Sequence, residues 1–283
     1  MSLGEDRATP RAWPDSYGDD AQPRMGFFTD TSLCIGCKAC EVACKEWNHV
    51  PASIQGFSGE SYDNTARLGS DTWRHVAFIE QRRPVAADGD EGLRWLMASD
   101  VCKHCTTAAC LDVCPTGALF RTEFGTVVVQ DDVCNGCGMC VPACPFGVIE
   151  RREDDGRAWK CTLCYDRLED GMEPACAKAC PTDSIMFGPL DELRVVAAGR
   201  LDDVKAAGEP GAQLYLHGDD DGVDGAGAFF LLLDEPEVYG LPPDPVAPTR
   251  HLRTIWGAVG GAAATIALGV AAATVGTARR GRR

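Results

Sequence analysis

Sixteen of the 283 residues are cysteine, and they fall into four groups of four. The first is Cys34, Cys37, Cys40 and Cys44; the second is Cys102, Cys105, Cys110 and Cys114. The third is Cys134, Cys137, Cys140 and Cys144; the fourth is Cys161, Cys164, Cys176 and Cys180. Pro115, Pro145 and Pro181 follow the last cysteine of three groups, and Lys45 takes that place in the first. Disulfides would need an oxidising compartment and a small loop-rich scaffold. Cysteines separated by two residues on one loop also rarely meet the geometry for mutual bridging. Zinc sites come as two separated pairs rather than three cysteines in one turn. Inert buried cysteines would not cluster in fours.

Groups one and three read C-x2-C-x2-C-x3-C, the run that holds bacterial iron–sulfur clusters. A cubane offers four iron corners, and one tight loop wraps three of them. The fourth cysteine starts a helical segment that leads away, so it ligates a neighbouring cluster. A proline after it fits a helix or turn start and blocks strand continuation. Four groups of four therefore predict four [4Fe–4S] clusters.

The spacing also argues a pairing. Groups two and three are separated by only nineteen residues, Pro115 to Val133. That stretch holds Thr126-Val127-Val128-Val129, a β-branched run readable as a strand. Two cysteine runs about a small sheet is the layout of a two-cluster ferredoxin. Groups one and four are left for each other and close around the inner pair. Exchanging the fourth cysteine within each pair gives four sites. They are Cys34, Cys37, Cys40 with Cys180 (cluster 1) and Cys161, Cys164, Cys176 with Cys44 (cluster 2). The others are Cys102, Cys105, Cys110 with Cys144 (cluster 3) and Cys134, Cys137, Cys140 with Cys114 (cluster 4).

The formal net charge is -15, and residues 250–283 hold six Arg and no acid, so residues 1–249 carry 21 basic against 42 acidic groups. Such an acidic body argues against nucleic acid, whose phosphates demand Lys/Arg stripes. Residues 1–25 are rich in Pro, Gly and Asp and read as a tail of low order, and no apolar run there suggests a secretory signal. Gly26 to Asp30 reads as a strand and Cys40 to Trp47 as a helix. Residues 50–98 read as an inserted loop with a short hairpin around Val76–Ile79. Ile185 to Gly188 reads as a strand ending the ferredoxin part. Leu190 to Ala206 has helical apolar spacing in Leu193, Val196, Ala197, Leu201 and Val204. Gln213 to His217 and Phe229 to Leu233 are strand candidates, either a β-pair packed on the body or solvated decoration. Leu241-Pro242-Pro243-Asp244-Pro245 reads as an extended linker.

Thr254 to Ala278 runs twenty-five residues without a charge. As a helix it would span roughly 37 Å, above the ~30 Å hydrocarbon core of a bilayer. Nine Ala and five Gly leave it weakly hydrophobic, made to pack on another membrane helix. His104, between Cys102 and Cys105, reads as a neutral structural histidine or as a donor to cluster sulfur. No Ser/His/Asp set, Walker loop or Rossmann fingerprint is present, so no catalytic residue is assigned. The reading is an α+β fold: a duplicated bacterial-ferredoxin-like domain with insertions and one C-terminal transmembrane helix. Its expected segments are 1–25 (tail), 26–189 (four-cluster domain, 50–98 inserted), 190–249 (α/β extension and linker) and 250–283 (membrane helix with basic flanks).

Two segments carry a resemblance. One is Cys34-Ile35-Gly36-Cys37-Lys38-Ala39-Cys40 with Glu46-Trp47-Asn48. The other is Lys160-Cys161-Thr162-Leu163-Cys164-Tyr165-Asp166-Arg167 with Glu173-Pro174-Ala175-Cys176. With Tyr239-Gly240-Leu241-Pro242 and the single C-terminal helix, they resemble the iron–sulfur (beta) subunit of membrane-bound formate dehydrogenase. The cysteine pattern alone is shared by four-cluster subunits of many molybdopterin oxidoreductases. The resemblance implies an electron relay between a molybdenum- or tungsten-pterin catalytic subunit and a membrane cytochrome b-type or related quinone-reducing subunit. It implies the same cysteine pairing. Thr182-Asp183-Ser184-Ile185 departs from the family's Thr-Gly-Ala-Ile and puts one turn in question. The alternatives are the same role in a hydrogenase or a polysulfide, nitrate or sulfoxide reductase, or a non-redox iron–sulfur scaffold. Two Arg before the membrane helix against four after it favour a cytoplasmic C-terminus in the inner membrane. The body would then lie outside, carried across folded by a partner with a twin-arginine signal.

Overall fold

Cysteine loops interrupt the chain so often that only segments outside them reach any length. The computed structural model describes residues 17–52, 59, 63, 65–84 and 91–280. The elements follow as β1 (Met25–Asp30), α1 (Ala39–Trp47), β2 (Arg74–Pro84), β3 (Glu91–Val101), α2 (Ala109–Asp112), β4 (Leu119–Arg121) and β5 (Val127–Val129). Then come α3 (Cys140–Ala143), β6 (Glu150–Arg151), β7 (Ala158–Trp159), α4 (Tyr165–Glu169), α5 (Ala175–Lys178) and β8 (Ile185–Pro189). The last elements are α6 (Leu190–Ala206), β9 (Gln213–Tyr215), β10 (Ala228–Leu232) and α7 (Leu252–Arg280).

A four-stranded sheet in the order β8-β1-β10-β9 forms the main core. β1 runs antiparallel to β8, with Phe27 opposite Phe187, and parallel to β10, with Phe28 opposite Phe229. Every residue of β10 is inaccessible to solvent, which explains its unbroken apolar run Ala228-Phe229-Phe230-Leu231-Leu232. α6 covers this sheet through Leu190, Leu193, Ala197 and Val204. Val196, expected in that stripe, is exposed because it falls at the stripe's margin. Of the two readings of these strands the packed β-pair holds and solvated decoration does not: a parallel neighbour for β1 can come only from a distant segment, and β10 supplies it. The sheet draws strands from both sides of the 189/190 division expected from sequence.

Three further expectations are corrected. The hairpin in the insertion is long, not short. β2 and β3 each have eleven residues, and the pair ends at Val101, next to Cys102. Val76 and Val101 are buried on one face of it and Leu96 and Ala98 on the other, so the hairpin is a wall inside the body. The tail is tied down from Tyr17 onward, whose hydroxyl donates to the Arg121 carbonyl at 2.9 Å. The Gln22 N–H reaches the Glu123 carbonyl at 3.0 Å; residues 1–16 lie outside the described residues. The Pro-rich stretch is packed rather than a free linker. Leu241 and Ala247 are buried, and the Ala247 N–H donates to the Gly222 carbonyl at 2.9 Å.

Two small hairpins sit between cysteine groups. β4 pairs with β5 (Leu119 opposite Val129), and β6 pairs with β7. In α7, Thr254–Ala273 has a mean hydropathy of 1.7, and none of it is buried against the rest of the chain. It is long and apolar enough to cross a membrane.

Candidate iron–sulfur centres

A loop that brings three thiols to one side needs backbone conformations that L-residues avoid. Gly36 (φ +66°) and Lys38 (φ +58°) supply them in the first loop, and Gly136 (φ +70°) and Gly138 (φ +74°) in the third. No disulfide joins any of the sixteen cysteines. Cys34, Cys37 and Cys40 line one cavity, and the fourth cysteine on its wall is Cys180 from group four. Cys102, Cys105 and Cys110 line a second, and there the fourth cysteine is Cys144 from group three.

The other two assemblies show in the thiols' mutual fields. Burial pushes the Cys44 thiol well above its usual range, and the thiolates of Cys161, Cys176 and Cys164 push the same way. Burial pushes the Cys140 thiol up to about 11, and Cys134, Cys114 and Cys137 add to that rise. Each of the four sets therefore joins three cysteines of one group to the last cysteine of another.

Groups one and four also meet through their flanking residues. Asn48 Nδ2 lies 3.7 Å from Cys44 Sγ and 3.6 Å from Cys164 Sγ. Trp47 Nε1 donates to Asp166 Oδ2 at 2.8 Å, and the Arg167 guanidinium stacks 4.2 Å above the Trp47 ring. After group four, Asp183 takes the left-handed conformation (φ +53°), which Asp tolerates better than most residues. The Ser184 hydroxyl donates to the Asp30 carbonyl at 2.7 Å, so this turn closes onto β1.

The donor set fits cubanes. Among the described residues no three His, Cys, Asp or Glu side chains converge tightly enough to hold a single metal ion, as a zinc site requires. A cubane instead spreads its four thiolates over four irons around a cavity. Sulfur atoms also receive hydrogen bonds from the chain. The Leu163 N–H donates to Cys161 Sγ at 3.3 Å and the Ala158 N–H to Cys134 Sγ at 3.4 Å.

Sequence reasoning missed the buried cations around these sites. Arg74, Lys103 and Lys160 are each at most 2% exposed. Lys103 and Lys160 adjoin Cys102 and Cys161 in the chain, a signal that was available. Arg74 lies twenty-eight residues from the nearest cysteine, and only the fold brings it in. Lys160 Nζ donates to the Cys161 carbonyl at 2.9 Å and to the Val127 carbonyl. Arg74 Nη1 donates to the Ser99 carbonyl at 3.1 Å, and Nη2 donates to Cys176 Sγ at 3.3 Å. Arg121 Nη2 caps the Cys105 and Thr106 carbonyls, both at 2.7 Å.

His104 is buried and neutral, as one of the two sequence readings had it. Burial, then the charges of Lys160 and Arg121, hold its pKa well below the usual imidazole range. Its Nδ1 accepts the Val127 N–H at 3.1 Å, so the ring proton sits on Nε2. Nε2 has no partner among the described residues, and the ring borders the cavity of Cys102, Cys105, Cys110 and Cys144.

With this geometry in place, known proteins can be set beside it. Two family models described as 4Fe-4S dicluster domain match residues 33–118 and 93–190. The chain is 38% identical over 266 residues to the formate dehydrogenase iron-sulfur subunit of Haemophilus influenzae, covering 93% of this chain and 82% of that one. It is 39% identical over 246 residues to the nitrate-inducible formate dehydrogenase iron-sulfur subunit of Escherichia coli, covering 86% and 80%. The B subunit of the anaerobic dimethyl sulfoxide reductase of Escherichia coli is 37% identical over 171 residues, 60% of this chain and 76% of that one. Two dicluster matches and sixteen cysteines correspond to four [4Fe–4S] clusters on a duplicated ferredoxin-like body.

Proposed function

The protein belongs to the family of formate dehydrogenase iron–sulfur subunits, and on that premise we propose that it relays electrons from a molybdopterin catalytic subunit that oxidises formate to a membrane cytochrome b-type or related quinone-reducing subunit. It is an electron-transfer subunit rather than a catalytic one. When bound, its four [4Fe–4S] clusters supply one-electron redox steps. The residues hold them, exclude water and supply fixed charge and N–H groups.

The observation that carries this reading is the exchange of the last cysteine between groups. On it we assign Cys34, Cys37, Cys40 and Cys180 to cluster 1, and Cys44, Cys161, Cys164 and Cys176 to cluster 2. Cluster 3 takes Cys102, Cys105, Cys110 and Cys144; cluster 4 takes Cys114, Cys134, Cys137 and Cys140. The thiol fields support a linear order. Cys40 feels Cys176, Cys161 feels Cys102, and Cys110 feels Cys140, which links 1 to 2, 2 to 3 and 3 to 4. Cys37 and Cys137, at the two ends of that row, are the exposed members of the sixteen. Ile35 and Met139 beside them are 59% and 55% exposed, apolar surface suited to partner subunits. We read α7 as a single span of the inner membrane, with lipid and the membrane subunit around it.

The test is purification from the native membrane in mild detergent. The expected complex holds about sixteen iron and sixteen sulfide per copy of this subunit, by the ligation logic of four cubanes, and formate reduces it. Stoichiometric zinc with little acid-labile sulfide would refute the cluster assignment. A cluster-loaded complex that ignores formate would move the protein to another oxidoreductase.

A further inference from the structure

Among the described residues Arg74 is the buried cation that donates a hydrogen bond to a cysteine sulfur, and cysteines of two different groups lie close to it. Arg74 is 1% exposed. Among the described residues no carboxylate lies within ion-pair distance of it. Nη2 donates to Cys176 Sγ at 3.3 Å, on the cluster 2 side. Nη1 donates to the Ser99 hydroxyl at 3.4 Å. That hydroxyl lies 3.3 Å from Cys40 Sγ, on the cluster 1 side. Because Ser99 Oγ accepts from Arg74, its own hydrogen is free to point at Cys40. A continuous line of hydrogen bonds therefore runs from Cys40 through Ser99 and Arg74 to Cys176. The ring of Phe27 covers the guanidinium at 4.7 Å and shuts water out. Nε has no partner among the described residues.

A guanidinium does not lose its proton in a protein. A lone buried charge is among the most costly groups a core can hold, unless an opposite charge offsets it. With neutral thiols around it Arg74 would have no such partner; with ligated thiolates it has several. Adding an electron to either neighbouring cluster adds negative charge close to a fixed positive one, in surroundings that screen poorly. The reduced form is favoured on both sides.

We infer that Arg74 is a positioning residue that fixes one permanent positive charge between clusters 1 and 2 and raises the reduction potential of both. The inference rests on the cluster reading above, which the iron and sulfide content of the unaltered complex tests separately. It makes the transfer step between clusters 1 and 2 depend on a side chain that is buried within the subunit.

The experiment compares Arg74→Met, which keeps bulk and loses charge, with Arg74→Lys, which keeps charge and loses the fork. Each variant complex is purified, its iron counted, and its clusters titrated against ambient potential by electron paramagnetic resonance. In Arg74→Met two of the four clusters should become harder to reduce. Their reduced-to-oxidised ratio at fixed potential should fall at least tenfold, about 59 mV for a one-electron couple. The other two should stay put, and Arg74→Lys should restore most of the shift. If Arg74→Met instead loses iron, full iron and near-native potentials in Arg74→Lys still support the charge role. Four unshifted potentials in an iron-replete Arg74→Met would overturn it. So would a uniform shift of all four, or Arg74→Lys failing as badly as Arg74→Met.

Discussion

Cys114 belongs to its own loop by sequence, and on the proposed exchange it serves the cluster of Cys134, Cys137 and Cys140. Burial acts to raise its pKa, but the N–H groups of Leu119, Thr116 and Ala118 and the Thr116 hydroxyl outweigh burial and hold the thiol below its usual value. Cys114→Ala is expected to damage that cluster and leave the one held by Cys102, Cys105 and Cys110, as resolved by their separate spectra. Loss of the Cys102 cluster alone would refute the exchange. Gly36 makes a second residue-scale case. At φ +66° a Cβ there would sit 2.6 Å from a carbon of the Phe78 ring and 2.8 Å from Met97 Sδ. Gly36→Ala is expected to cost about 1–3 kcal/mol and to strip iron from the first loop. A native melting temperature with full iron would count against it. The cysteines and glycines of these loops could be read in advance because motif chemistry is local. Arg74 could not, since its partners come from segments far apart in the chain.

Elements that look peripheral in the chain turn out to frame the sites. β10 lies in the middle of the main sheet, and its Phe229 stacks on Phe28 with ring centroids 5.2 Å apart. Phe229→Ala is expected to destabilise the body by ~3–5 kcal/mol, read as a lower melting temperature of the cluster-loaded protein. A loss under 1 kcal/mol would return β9 and β10 to the role of decoration. The long hairpin matters for a similar reason. β2 carries Arg74 and β3 carries Ser99, so the bridge between clusters 1 and 2 is built on paired strands. The apolar run Val76–Ile79 marked a strand there, but its full length depended on tertiary partners such as the first cysteine loop. By contrast α7 adds nothing to the core. Just before it, Thr249 bonds Asp112 and Arg250 pairs with Asp220 and Asp224, all at the surface. Ending the protein after Thr249 is expected to give a body that keeps its iron and stays soluble without detergent. Iron loss in that truncation would mean the helix supports the fold.

At the scale of the molecule, charge and hydropathy are segregated. Residues 1–249 carry a formal -21, and the six Arg of the last segment flank the apolar helix. Four clusters with their thiolates would bring about -8 more when oxidised, so basic partner surfaces are expected to meet the body. The Arg distribution, two before the span and four after, favours a cytoplasmic C-terminus with the body outside. Protease added to intact spheroplasts is expected to digest the body and spare a C-terminal tag. The opposite pattern would reverse the orientation.

The cofactor, the number of clusters, the α6 boundaries and the apolar C-terminal helix were all legible along the chain. Each depends on spacing within a short window: three thiols per turn of loop, an apolar stripe at helical period, an uncharged run longer than a bilayer is thick. That β10 is the parallel neighbour of β1, that the Pro-rich stretch is packed, and that Arg74 sits among thiols of groups one and four came from the fold. Those relations join residues as much as two hundred positions apart, such as Phe28 and Phe229. No local period records them, because burial and charge compensation are settled only when the distant segments close on one another.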